Sequence, residues 1–252
     1  MCVLSKYIVG LDAFERHNIV ARLLNRSGDK SVLDVGGIAG MLQMFSRRFS
    51  VIAINVDDSG DCTYAGKALP YMDNSFDAVV SLDTLEHIPH EGRGFFVEEL
   101  LRVARQDVVF CTPLGSEFHR NIEMQLNEAW RREFKEEHRF LKEHIDYGLP
   151  TLSDIRDILT GNDFELMFVG DIRLAACLFR NYMRALKHGN FLVRRLYAYL
   201  NSFSTILVPF IRVSEKPGKF TNRVYAHVRK RITMQERVQR TSSSNLESER
   251  ER

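Results

Sequence analysis

Ser31-Val32-Leu33-Asp34-Val35-Gly36-Gly37-Ile38-Ala39-Gly40 joins a short β-rich run to a cluster of glycines, and Met41 to Phe49 then resumes a helical pattern. The spacing predicts that the glycines sit at a strand-to-helix turn. Such a turn lets backbone N–H groups and a helix N-terminus approach a polar ligand with no Cβ in the way. A dinucleotide fingerprint needs glycines at its first, third and sixth places. Counting from Gly36 gives Gly, Ile and Met, and counting from Gly37 gives Gly, Ala and Leu, which disfavours a nicotinamide dinucleotide. A carboxylate at Asp34, two residues before Gly36, sits poorly beside a pyrophosphate and suits a ligand carrying an ammonium and a sulfonium.

Outward from this turn, strand and helix patterns alternate. Residues 9–25 carry Leu11, Phe14, Ile19, Val20, Leu23 and Leu24 near a 3.6-residue period, an amphipathic helix leading into the first strand. Val51–Ile54 reads as the second strand, and an abbreviated crossover leads to a weak third near Cys62–Ala65. Phe76–Leu82 (FDAVVSL) is the clearest buried strand, Arg93–Ala104 a helix, Asp107–Cys111 the next strand and Phe164–Val169 the sixth. A helix begins at Thr151 or Ser153 and is closed by Gly161. Arg223–Val228 alternates apolar and polar residues as an edge strand would. Parallel neighbours need crossover connections, so the expected class is α/β: a doubly wound, mostly parallel seven-stranded sheet with helical insertions. One domain is expected over 1–232, with insertions at 114–150 and 171–222, followed by a disordered polar tail at 233–252.

Composition narrows the class further. The 252 residues are 44% hydrophobic and 27% charged, as a soluble globular chain requires. Cys2, Cys62, Cys111 and Cys177 form no C-x-x-C pair and read as reduced core residues. The N-terminal apolar run is too short for a signal segment, and no stretch reaches the roughly 18 apolar residues of a membrane span, so the cytoplasm is the expected location. The net charge of +2 hides an asymmetry: residues 173–231 hold 13 Lys/Arg against the single acid Glu215. A block of this kind favours an anionic partner such as a phospholipid headgroup, a nucleotide or a phosphate-linked glycan, the plainer reading being a solvated basic face.

Two stretches carry a family resemblance. VLDVGGIAG at 32–40 resembles the first motif, D-x-G-x-x-x-G, of class I S-adenosylmethionine (SAM)-dependent methyltransferases. LPYMDNSFDAVVSLDTLEHIP at 69–89 resembles the L-P-F-x-D-x-S-F-D...L-E-H segment of their small-molecule, type 11 branch. A third stretch, HRFLKEHIDYGLP at 138–150, is similar to a segment of a bacterial subgroup associated with glycans. The resemblance implies that SAM is the cofactor and that Asp34, Gly36, Gly37 and Gly40 line its methionine end. It places Asn55 on the ribose hydroxyls, where the family has Asp or Glu, with Asp57 two residues on and on the same side. The acid usually found before Leu69-Pro70 is absent, leaving backbone contacts from Ala68 and Leu69 near the adenine. Asp83 stands at the carboxyl end of its strand, where open α/β sheets place ligands, and is expected to contact SAM or the acceptor. Asp77 reads as a structural partner.

Methyl transfer from a sulfonium is an in-line displacement, and a hydroxyl acceptor needs a general base within hydrogen-bond reach. The candidates are His87 and His144, with His138 behind them; each is equally readable as a packing histidine. Glu123 and Asn127, four apart, read as a solvated helix face. No metal is expected, because His138 and His144 fall on different faces of a helix and no carboxylate cluster completes a set. Residues 190–213 mix aromatic, aliphatic and arginine residues, as interfacial helices do and as core-packed helices also do. The expected function is methyl transfer to a hydroxyl of a sugar, glycan or other small polar acceptor, with peripheral contact to an anionic membrane through 173–231 as a further expectation. The alternative is a non-catalytic binding module that retains the fold. Nucleic acid is disfavoured as a substrate, because SLDTLEH stands where an N/D-P-P-Y/F motif would follow the fourth strand. Oligomeric state is left open.

Overall fold

The computed structural model describes residues 10–25, 30–187 and 213–230, together with 191, 192, 195, 196 and 199. Its seven strands are β1 (Lys30–Val35), β2 (Phe49–Asn55), β3 (Cys62–Thr63), β4 (Phe76–Leu82), β5 (Ala104–Pro113), β6 (Phe164–Asp171) and β7 (Thr221–Arg229). They form one sheet in the order β3-β2-β1-β4-β5-β7-β6. The first five run parallel, and β7 is antiparallel to both of its neighbours.

Both faces of the sheet are covered, which is why its central strands read as continuous apolar runs. Val32, Val80 and Val109 point toward α1 (Leu11–Leu24), where they pack with Val20, Ala21 and Leu24. Leu33, Val79 and Val108 point the other way, against Phe96, Val97 and Leu100 of α2 (His90–Val103). The insertion at 114–150 folds as α3 (Glu117–Phe134) and α4 (Arg139–Tyr147), and α5 (Leu152–Ile158) follows with a Thr151–Asp154 capping box. After β6 comes α6 (Ile172–Lys187). Asp77 is the structural partner expected of it: its carboxylate accepts from Ser31 N and Oγ and from Arg105.

Several expectations are corrected. The Arg223–Val228 segment is not an edge strand: β7 lies between β5 and β6 and is buried along nearly its whole length, covered by helices on both sides. Met41–Phe49 is not a helix. Gln43 bonds Ser46 O and Val51 N, folding the chain back so soon that only a 3₁₀ turn, Leu42–Phe45, fits before β2. The glycine turn therefore opens into no α-helix N-terminus. Cys62 and Cys177 are exposed, and only Cys111 of the described cysteines is a core residue; Cys2 lies outside the described residues. Within 190–213, Phe191, Leu192, Leu196 and Tyr199 are exposed and not packed in a core. The tail at 233–252 lies outside the described residues. Among the described residues no helix is long and apolar enough to cross a membrane.

Candidate active site

A cavity of about 1760 Å3 opens along the carboxyl ends of the parallel strands, where this architecture places its ligands. Gly36, Asn55 and Asp57 line one end, Ala68 and Asp83 the middle, and His87 with His144 the other. Asp34, Gly37, Gly40 and Leu69 are not on its wall.

At the glycine end, close packing explains the sequence. Gly36 has φ +79°, and a Cβ there would fall 2.2 Å from Thr84 Oγ1. A Cβ on Gly37 would fall 2.3 Å from the Asp34 carboxylate. Asp34 thus lies directly under the turn, 1% exposed, with neither carboxylate oxygen hydrogen-bonded. Burial pushes its carboxyl up to about 7. An unpartnered acid held in this way is what a nearby cationic ligand would satisfy.

Asn55 Nδ2 donates to Gly37 O and Ser59 Oγ, and its Oδ1 accepts from Val56 N. Asn55 therefore pins the turn and keeps one Oδ1 lone pair for a ligand hydroxyl. Asp57 lies beyond the end of β2, exposed on the cavity wall, with Ser59 bonded to one oxygen and holding the carboxyl below its usual range. Leu69 has its backbone committed, its N–H to Glu99 and its carbonyl to Arg102. Of that pair, only Ala68 faces the cavity.

Asp83 takes a left-handed conformation, φ +50°, and its carboxylate is gripped by two arginines. Arg223 donates Nε at 2.9 Å and Nη2 at 2.6 Å, and Arg16 bonds the same carboxylate. Despite burial, these arginines hold Asp83 well below the ordinary carboxylate range. Asp83 thus lines the cavity with its carboxylate committed to these two arginines. Both arginines were invisible as site residues in the sequence: Arg16 is one of many helix-face cations, and Arg223 arrives only because β7 inserts into the sheet. Glu15 beside them is pushed up to about 7 by burial.

The far end is built by three segments. The turn after β4 supplies Glu86 and His87, α3 supplies Glu123, and α4 supplies Glu143 and His144. Glu123 and Asn127 do not form a solvated face; both are buried. Glu123 Oε1 lies 2.9 Å from His144 Nδ1 and 3.4 Å from His119 Nε2. Although burial opposes it, the bonds from the histidines hold the Glu123 carboxyl down at about 2. Asn127 Oδ1 accepts from His138 N, and His138 in turn caps α4. His138 packs edge-on against Trp130 and does not line the cavity. Glu86, 1% exposed, accepts from Thr112 Oγ1, and burial together with the Asp83 charge pushes it up to about 8. Burial lowers His87, with His144 adding to the effect, whereas Glu123 raises His144 against its own burial. The two rings stand 4.9 Å apart, centroid to centroid. Glu86, His87 and His144, a set that the His138–His144 spacing does not contain, offer donor atoms all within 4.8 Å of one another. Sequence spacing hid the trio because β5 and α3 intervene.

Residues 17–112 match the family profile of a methyltransferase domain. They are a class I methyltransferase domain. The sheet order, with one antiparallel strand inserted next to the last, belongs to the same architecture. SAM is the methyl donor of this domain class, and the unpartnered Asp34 under the glycine turn fits a cationic donor. Curated proteins provide no match. Among solved structures, the chain is similar to a protein of Anabaena variabilis ATCC 29413 assigned as a methyltransferase of an antibiotic biosynthesis pathway. That match has 14% identity over 88% of this chain and 98% of the other, with a TM-score of 0.51. A protein of Galdieria sulphuraria assigned as a sarcosine dimethylglycine methyltransferase matches at 13% identity over 86% of each chain, TM-score 0.51. The [4+2]-cyclase SpnF matches at 16% identity over 87% and 82%, TM-score 0.50. At these identities the likeness shows the fold.

Proposed function

We propose that the protein transfers a methyl group from SAM to a hydroxyl of a small polar acceptor, a sugar or glycan being the class that suits the cavity best. One observation carries this reading: a single cavity joins the glycine turn over Asp34 to the histidine–carboxylate cluster at Glu86, His87 and His144. Bound SAM supplies an electrophilic methyl on a sulfonium that leaves as a neutral thioether. Asp34 contributes negative potential beneath the turn, and Asn55 and Asp57 present oxygen acceptors to ribose hydroxyls. At the other end, Phe140, Phe179 and Tyr182 form an aromatic wall beside polar groups, the combination that holds the apolar face and the hydroxyls of a sugar ring. The acceptor hydroxyl is presented to His87 and His144. Alignment of two bound reactants supplies on the order of 7–11 kcal/mol in favourable cases, so no covalent enzyme intermediate is needed.

Calorimetric titration with SAM, followed by detection of S-adenosylhomocysteine during incubation with hydroxylated sugars, tests the reading. Donor binding with acceptor-dependent turnover is the expected result. Donor binding with no turnover on any acceptor would leave the alternative, a non-catalytic binding module on this fold.

Exposed Phe191, Leu192, Leu196 and Tyr199, with the Arg195 guanidinium over Phe191, support peripheral contact with an anionic membrane and hence a lipid-linked acceptor. Flotation with anionic liposomes is expected to carry the protein upward at low salt, and recovery in the bottom fraction would remove this part of the reading.

A further inference from the structure

We propose that Glu86, His87 and His144 bind a divalent first-row transition metal ion at the acceptor end of the cavity. Three independent features of the cluster point there. First, one donor atom of each residue lies within 4.8 Å of the others, where neighbouring donors of a bound ion stand about 3–4 Å apart. Second, His144 leaves its buried Nε2 without a partner, while His87 Nδ1 faces a Glu143 carboxylate oxygen at 2.8 Å. Third, the supporting shell is in place: His144 Nδ1 faces Glu123 and Glu86 Oε2 accepts from Thr112, the outer contacts that orient a ligating imidazole and carboxylate.

Two imidazoles and one carboxylate favour zinc, iron, cobalt or manganese over calcium or magnesium, which prefer all-oxygen sets. Three protein ligands on a cavity wall leave positions open for an exogenous oxygen, as catalytic sites require. The role of the ion in transfer rests on the methyltransferase reading, whereas its binding does not. In that role the acceptor hydroxyl coordinates the ion, its O–H bond breaks and the proton passes to solvent. The oxygen then forms its bond to the methyl carbon as the S–C bond breaks, and that electron pair stays on sulfur.

The test uses the full chain after chelator treatment, titrated with cobalt(II) and followed by visible absorption and calorimetry. One equivalent of cobalt with d–d bands in the visible is expected. Glu86→Gln and His144→Ala should each weaken uptake at least tenfold, and Glu123→Gln, which leaves all three ligands intact, should weaken it about 10–100-fold. His87→Gln, at a side chain one-quarter exposed, serves as the variant least prone to misfold, and thermal melts check each protein. Absence of cobalt uptake by the wild-type chain, or uptake indifferent to these substitutions, overturns the proposal and leaves a proton-sharing imidazole pair. SAM titration of the same wild-type preparation separates the two readings. SAM binding without cobalt uptake defeats the metal site alone, and cobalt uptake without SAM binding defeats the methyl-transfer reading alone.

Discussion

Asp34 is the residue on which the proposed donor end turns. The folded chain keeps a proton on it up to about pH 7, whereas the unfolded chain loses that proton near 3.8. Between these values the folded state binds more protons, so the Asp34 contribution to stability declines as pH rises from about 4 to about 7 and is level above. Asp34→Asn removes the dependence. The stability difference between variant and wild type should therefore grow across that interval, reaching up to about 4 kcal/mol in favour of the variant at pH 8 without donor, as measured by denaturant melts at several pH values. The same substitution should weaken SAM binding by roughly 1–3 kcal/mol, because a buried anion near the cation is lost. Gly37→Ala acts on the same contact from above. Its Cβ would collide with the Asp34 carboxylate, and a loss of about 1–3 kcal/mol in a urea melt is expected. Asp34 and the glycines were legible in the sequence because turn chemistry is local. The fate of Asn55 was not, since its partners Gly37 O and Ser59 Oγ are set by how the turn folds back onto β2.

Among the elements, α4 is the one whose placement makes the far end of the cavity. It is anchored by Arg93, a fully buried α2 side chain that donates to Ile88 O at 3.0 Å and to the carbonyls of Tyr147 and Gly148 at the end of α4. One guanidinium thus holds the segment after β4, which carries His87, against the helix that carries His144. Arg93→Ala should leave those carbonyls unsatisfied and cost about 1–3 kcal/mol per group left unpaired. SAM affinity, which the proposed function assigns to the glycine end, should stay within about twofold while turnover falls at least tenfold; equal loss of both would refute an anchoring role. Helix α4 itself was legible only as a charged, aromatic insertion. Nothing local says that His144 comes to rest beside His87, because the contact depends on Arg93 and on the packing of α4 against α3.

For the whole molecule, the decisive event is insertion of β7 between β5 and β6. It delivers Arg223 to Asp83 at the end of β4, an ion pair closed across the sheet by residues far apart in the chain. Arg223→Met should strand Asp83 as a buried, half-compensated charge and destabilise the fold by about 3–5 kcal/mol, measurable as a shifted denaturation midpoint. Saturating SAM should act in the opposite direction, adding about 2.7 kcal/mol at a hundredfold excess over its dissociation constant, which corresponds to a rise of roughly 5–11 °C in melting temperature for a chain of this size. The α/β class, the seven strands, the helices at 11–24 and 90–103, and the glycine turn are all written in short-range pattern. Apolar alternation, turn residues and motif spacing act within a dozen residues, so the sequence by itself determined them. The internal place of β7, the brevity of the segment after Gly40, the arginine grip on Asp83 and the meeting of Glu86, His87 and His144 were decided only in the tertiary structure. Each depends on which distant surfaces pack together, and packing is a property of the assembled chain that no local window of residues contains.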